Sequence, residues 1–304
     1  MKQETKGVFW HNLDEALWHI GEAHFLSLWM AIAEVDDLAA LTDKPPETLI
    51  SLTNEIFRAH ASWEAIHNLD TLTNRKRDEV KRQTVMFATD LLPCFDLREA
   101  MQIGDVGRME DLLPTLLFRF AGGSNPKYTI EILELIQKLR CEWPQEFRDH
   151  IRHYCWLVNF TGKRNSFLAV DMAQEHNIKD IKVTWRSFGP GATFPYIQKI
   201  SPAITTLRAV KASVASQFSS VIGRGSHHGK PSKNQDVDRL VRMYRTSKLH
   251  NKEDGREMKG GESNWALDVM TAGSVKLIVD GAAERWWDER DFERATTESY
   301  DVLD

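Results

Sequence analysis

The sequence predicts a mainly α-helical protein, ordered as a helical array in its first half and as irregular helices in its second. Three observations carry this. Apolar residues recur at i, i+3 and i+4 through most of residues 13–158, the spacing of one helix face. Proline and glycine fall between these runs and leave only short connections. The one stretch that alternates like a strand, Ile181-Lys182-Val183-Thr184-Trp185, has no partner strand nearby and reads as a helix extension.

The first helix is expected from Leu13, with apolar positions at Leu17, Ile20, Phe25, Leu28 and Ile32 and with His24 on the same stripe. Asn12 stands at the N-cap position and Glu15 three residues on, a capping-box spacing. Pro45-Pro46-Glu47 opens a second helix that runs to about Ile66, because proline fits a first turn. Arg75 to Leu92 reads as a third, stopped at Pro93. Gly104-Asp105-Val106-Gly107 is a break. The run Met109–Phe120 contains Pro114, which places the start of its helix there. Ala121 to Pro126 is turn chemistry. Ile130, Leu133, Ile136 and Leu139 form the next apolar face, and Pro144 opens a helix in which Phe147, Ile151, Tyr154, Cys155 and Val158 face one way.

In the second half, Asn159 to Ser166 is a polar loop carrying Lys163-Arg164, and a helix starts near Asp171. Gly189 to Thr193 is a turn, a long helix spans about Pro202 to Ile222, and Asp236 to Tyr244 is amphipathic. Residues 250–263, rich in Lys, Glu and Gly, are expected to be a mobile connection. No internal repeat of fixed period is present.

With 304 residues, 42% hydrophobic and 27% charged, the chain is long and apolar enough for a proper core, which excludes a disordered chain and a collagen-like repeat. Three cysteines at irregular spacing make no disulfide framework. The polar start and the lack of an apolar run of about 18 residues lead to the expectation of an intracellular protein with no membrane partner.

Charge is unevenly spread. Residues 1–160 carry 17 Lys and Arg against 25 Asp and Glu, residues 161–260 carry 18 against 8, and residues 261–304 carry 4 against 11. These three regions, an acidic helical region, a basic helical and loop region and an acidic C-terminal segment, read as one continuous domain with net charges of −8, +10 and −7. A basic middle points to a polyanionic partner, DNA or RNA; the same pattern also fits an acidic tail folded back on the basic segment.

Asp171 and Glu175 are four residues apart, so on a helix both carboxylates share a face and, with a third acid, hold a divalent cation. Asp171 with Gln174 is equally a capping box, and Glu175 with Lys179 an i, i+4 pair. Asp105 is the nearest third acid, and also an ordinary turn aspartate. His150-Ile151-Arg152-His153-Tyr154-Cys155 lacks the Cys-x-x-Cys half of a structural zinc site. Arg224, His228, Lys230 and Lys233 share a glycine loop that fits phosphate contacts or plain solvation. No dinucleotide fingerprint, phosphate-binding loop or nucleophile elbow is present, and Cys155 on an apolar stripe reads as inert core. Trp286-Trp287 would anchor the acidic tail to the body or to a partner.

Three segments resemble a large family of basidiomycete fungal proteins, domain of unknown function 6589. They are Gly104 to Arg108 with Phe118 to Gly122, Tyr128 and Glu131; Cys155 to Asn159 with Gly162, Ser166-Phe167, Asp171, Glu175-His176-Asn177 and Lys179; and Arg224 to Ser226 with His228, Asp236 and Ala295 to Glu298. The family's layout is similar to transposases of the ribonuclease-H type, an analogy in which Glu175 or Asp171 would be the late metal-binding acid. The upstream acid-bearing portion of longer members is lacking, so the resemblance implies a remnant of a larger transposase-like domain. The leading expectation is a non-catalytic protein with a nucleic-acid-contacting basic surface. The alternatives are a metal-dependent nuclease or strand-transfer enzyme using Asp171 and Glu175, and a helical module that binds protein or itself. No catalytic residue is identified, and no compact Lys/Arg cluster separates nuclear from cytoplasmic residence.

Overall fold

The computed structural model describes residues 6–186, 193–217, 233–258 and 268–298. The chain divides into two compact units. The first comprises residues 1–97, 111–142 and 232–304, and the second residues 98–110 and 143–231. The mainly α expectation holds: among the described residues the only strands are β1 (Leu157–Val158) and β2 (Leu168–Ala169), an antiparallel pair with Leu157 opposite Ala169.

In the first unit, α1 spans Lys6–Ile32, so it begins well before Asn12, which lies inside it rather than capping it. The expected second helix is two. After α2 (Pro46–His60) the chain breaks, and Ser62 caps α3 (Trp63–Asp70) by accepting from Ala65 N at 3.1 Å. α4 (Glu79–Ile103) runs straight through Pro93. Proline has no N–H to offer the carbonyl four residues back. That carbonyl, Thr89 O, instead accepts from Arg119 Nη2 at 2.9 Å, while Nη1 of the same guanidinium pairs with Asp90. α5 (Val106–Gly122) likewise contains Pro114 and starts eight residues before it, because Asp105 supplies the cap by accepting from Arg108 N at 3.0 Å.

α6 (Pro126–Gln137) ends in one π-type turn at Lys138–Glu142. Late in the chain come α11 (Lys233–Thr246), α12 (Val269–Ser274) with a second π-type turn at Val275–Val279, and α13 (Ala282–Glu298). Two small apolar clusters hold this unit. One joins Ala65 and Ile66 to Val85, and the other joins Leu117 and Ala121 to Leu277. Full burial of the Ile, Val and Leu side chains among them is worth about 1.5–3 kcal/mol each.

α1 packs along α11 in the same direction. Glu22 pairs with Lys233 at one end and Asp36 with Arg245 at the other, each at 2.7 Å. Residues 250–258 are not a loose connection. Gly255 N donates to Arg77 O, Met258 N to the Glu79 carboxylate, and Arg256 grips Asp78 with two nitrogens at 3.0 and 2.8 Å. Residues 259–263 lie outside the described residues. Of the expected tryptophan pair, Trp286 lines a cavity of about 650 Å³ with Leu133 and Leu277, and Arg290 lies over its ring and pairs with Glu142, whereas Trp287 is exposed.

The second unit carries α7 (Gln145–Tyr154), β1, β2, α8 (Val170–Arg186), α9 (Phe194–Ile200) and α10 (Ile204–Gln217). Ile181–Trp185 is helical, as the missing partner strand requires. The long helix expected over Pro202–Ile222 begins at Ile204, after a 3₁₀ turn that separates it from α9; residues 218–222 lie outside the described residues. Cys155 follows the last residue of α7 and is exposed, not core.

Candidate functional site

In the second unit, the loop between β1 and β2 presents Lys163 and Arg164 to solvent. Asn159 organises it: its Oδ1 accepts from Thr161 N and Gly162 N, and its Nδ2 donates to Lys163 O at 2.8 Å. Gly162 sits at φ +65°, where a side chain would be strained. Asp171 and Glu175 are both exposed on the first turns of α8, and the Asp171 carboxylate accepts from the adjacent Met172 N at 2.7 Å. Asp105 is occupied as a helix cap. Among the described residues, no three His, Cys, Asp or Glu side chains are grouped to hold a metal ion. Further along α8, Lys179 and Lys182 are exposed, whereas the Arg208 guanidinium is bound by Asp180 and Asn177. Lys233 belongs to the first unit and is paired with Glu22. Arg224, His228 and Lys230 lie outside the described residues.

The units keep a charge contrast, though the basic one is less basic than the linear block 161–260, whose last residues, from Ser232 on, fall in the first unit. The second unit contains 14 Lys and Arg against 8 Asp and Glu, a net of +6; the first contains 25 against 36, a net of −11.

The first unit holds a polar cluster that sequence reading missed. Lys81 on α4 is buried, and its Nζ donates to His250 O at 2.6 Å and lies 2.5 Å from His60 Nδ1. The ammonium has no acceptor of its own, so it donates and the His60 ring accepts, which places the His60 proton on Nε2. The rings of His24 and His250 stand 4.8 Å apart and nearly perpendicular. Burial pushes His24 and His60 down to about 4, and the Lys81 ammonium adds to this. Burial likewise lowers Lys81 to about 8. Burial lowers His250 as well, so all three histidines are neutral at pH 7.

These shifts have a sign. An unfolded chain protonates its histidines near 6.5, and the folded one only near 4, so stability is full above 6.5 and is lost as pH falls toward 4. For His24 the loss is about 3 kcal/mol. Lys81 adds a second rise in stability between about 8 and 10.5. Urea denaturation from pH 4 to 7 should show the first slope, and His24→Gln should flatten it.

Beside this cluster a cavity of about 270 Å³ opens where α1 and α11 end. Both helices close through a backbone bond five residues back, Val35 N to Met30 O and Leu249 N to Tyr244 O, around a residue in the left-handed region. Glycine is the usual occupant of that position. Here it is Glu34, φ +54°, and Lys248, φ +50°. A side chain there costs roughly 1–2 kcal/mol. The sequence signal for both was the absence of glycine after a helix.

A family of unknown function, DUF6589, matches residues 1–228. The match takes in the first two segments that carried the resemblance and ends before Asp236 and Ala295–Glu298. No curated protein and no solved structure matches the chain. With three-quarters of its length matched, the chain belongs to this family of unknown function.

Proposed function

We propose that the second unit is a nucleic-acid-contacting module and that the protein binds rather than cuts. The observation that carries this is the separation of charge, +6 in one compact unit and −11 in the other. Within the basic unit Lys163, Arg164, Lys179, Lys182 and Lys199 are exposed, free to neutralise phosphates and release their counterions. The metal-dependent alternative has less support, because Asp171 and Glu175 are joined by no third described ligand. A non-catalytic remnant of a transposase-like protein fits this pattern of charge kept without clustered acids.

Fluorescence anisotropy with a duplex across 50–200 mM salt tests the proposal. Affinity should fall steeply with salt, and Lys163→Gln with Arg164→Gln should reduce the slope of log K against log salt by about 2. An absence of binding at 50 mM salt, or an unchanged slope, would overturn it. A protein-binding reading has one specific observation behind it. Leu207, Val210 and Val214 form an exposed apolar stripe along α10, and binding that strengthens with salt would favour it.

A further inference from the structure

We propose that the cavity at the ends of α1 and α11 binds a small zwitterion, an α-amino acid with a polar uncharged side chain. Three observations converge on it. At the floor, the Ser27 hydroxyl and both ring nitrogens of His250 are buried without a hydrogen-bond partner. Ser27 is 0% exposed and His250 7% exposed, and both residues line the cavity. Native structures satisfy such groups, and a cavity this size holds a ligand of about ten heavy atoms. A neutral imidazole offers one donor and one acceptor, and a hydroxyl offers both. Those are the counterparts of a hydroxyl or carboxamide side chain.

At the rim, Glu34 and Lys248 carry opposite charges, and neither makes an ion pair with a described residue. The neighbouring charges, Asp36 and Arg245, neutralise one another at 2.7 Å. Two unengaged charges of opposite sign on one rim match a ligand carrying both signs. The carbonyl ends of two helices converge here as well, which favours an ammonium beside Glu34, leaving the carboxylate to Lys248.

The third observation is conformational. Glu34 and Lys248 are two of the four described non-glycine residues with positive φ, and both flank this one cavity. Strain of this kind is retained where side chains serve function. It also supplies a test that separates binding from folding, because glycine at either position relieves the strain and removes the charge together.

Isothermal titration with L-serine, L-threonine, L-asparagine and L-glutamine is the experiment. At least one should bind with Kd on the order of 10–1000 μM. Its des-amino and decarboxylated analogues should each bind about tenfold more weakly or worse. Glu34→Gly and Lys248→Gly should raise Tm while weakening binding about tenfold, and Ser27→Ala should fold normally and bind more weakly. The proposal is overturned if none of the four amino acids binds at about 10 mM, the result expected were water alone to fill the cavity. Analogues that bind equally well, or glycine variants with undiminished affinity, would overturn it too.

Discussion

Arg256→Ala should destabilise the protein by about 3–5 kcal/mol, a change readable as a lower urea midpoint at unchanged slope. The Asp78 side chain is 0% exposed, and it organises two segments far apart in sequence. It accepts from Lys81 N at the start of α4 and from Glu253 N, while Arg256 supplies the compensating charge through Nε and Nη2. Removing the guanidinium strands a carboxylate in a site that water does not reach, and a lone buried charge is expensive. Arg256→Lys should recover only part of the loss, since an ammonium cannot reproduce the two-nitrogen fork. Lys252→Ala, four residues away, breaks only the exposed pair with Asp254 and should cost less than about 0.5 kcal/mol.

Gly273→Ala should be as damaging by a different route. α12 crosses α5 so closely that a Cβ on Gly273 would sit 1.9 Å from Phe118 O, and one on Gly122 would sit 2.0 Å from Val269 O. Both obstacles are backbone, so no rotamer change relieves them and the helices must separate. About 3 kcal/mol or more is expected, a Tm fall of about 10 °C in a thermal scan. The contrast is within α5 itself. A Cβ on Gly107 meets only the Asp105 side chain at 3.6 Å, and Gly107→Ala should be neutral or stabilising by up to about 1 kcal/mol. Glycine to alanine thus has opposite signs at Gly122 and Gly107, the two ends of α5.

Helix positions were legible in the sequence where apolar periodicity was strong, as in α1, α6 and α7. Ends were less so. Pro93 looked like a stop because its cost was visible locally, whereas its remedy, the Arg119 guanidinium on Thr89 O, comes from another helix. Pro114 misled for the same reason, with the true start set by Asp105. Residues 250–258 have the composition of a linker, yet Asp78 and Glu79 supply partners that no local pattern reveals. The Lys163-Arg164 loop was readable because turn chemistry is local, and the structure keeps it exposed. The histidine cluster was not readable. His24 sat visibly on an apolar stripe, but His60, Lys81 and His250 come to it from three other stretches of chain.

The interleaved make-up of the first unit has a consequence for biosynthesis. α1 emerges from the ribosome well before α11, against which it packs and which follows only at Lys233. Throughout that interval α1 lacks this partner, and Glu22 and the following Asp36 lack their ion pairs, so the polypeptide must avoid wrong pairings or borrow a chaperone. The second unit, drawn mainly from the continuous stretch 143–231, faces a shorter wait. Slowing translation ahead of codon 233 should therefore lower the yield of intact protein more than slowing it afterwards.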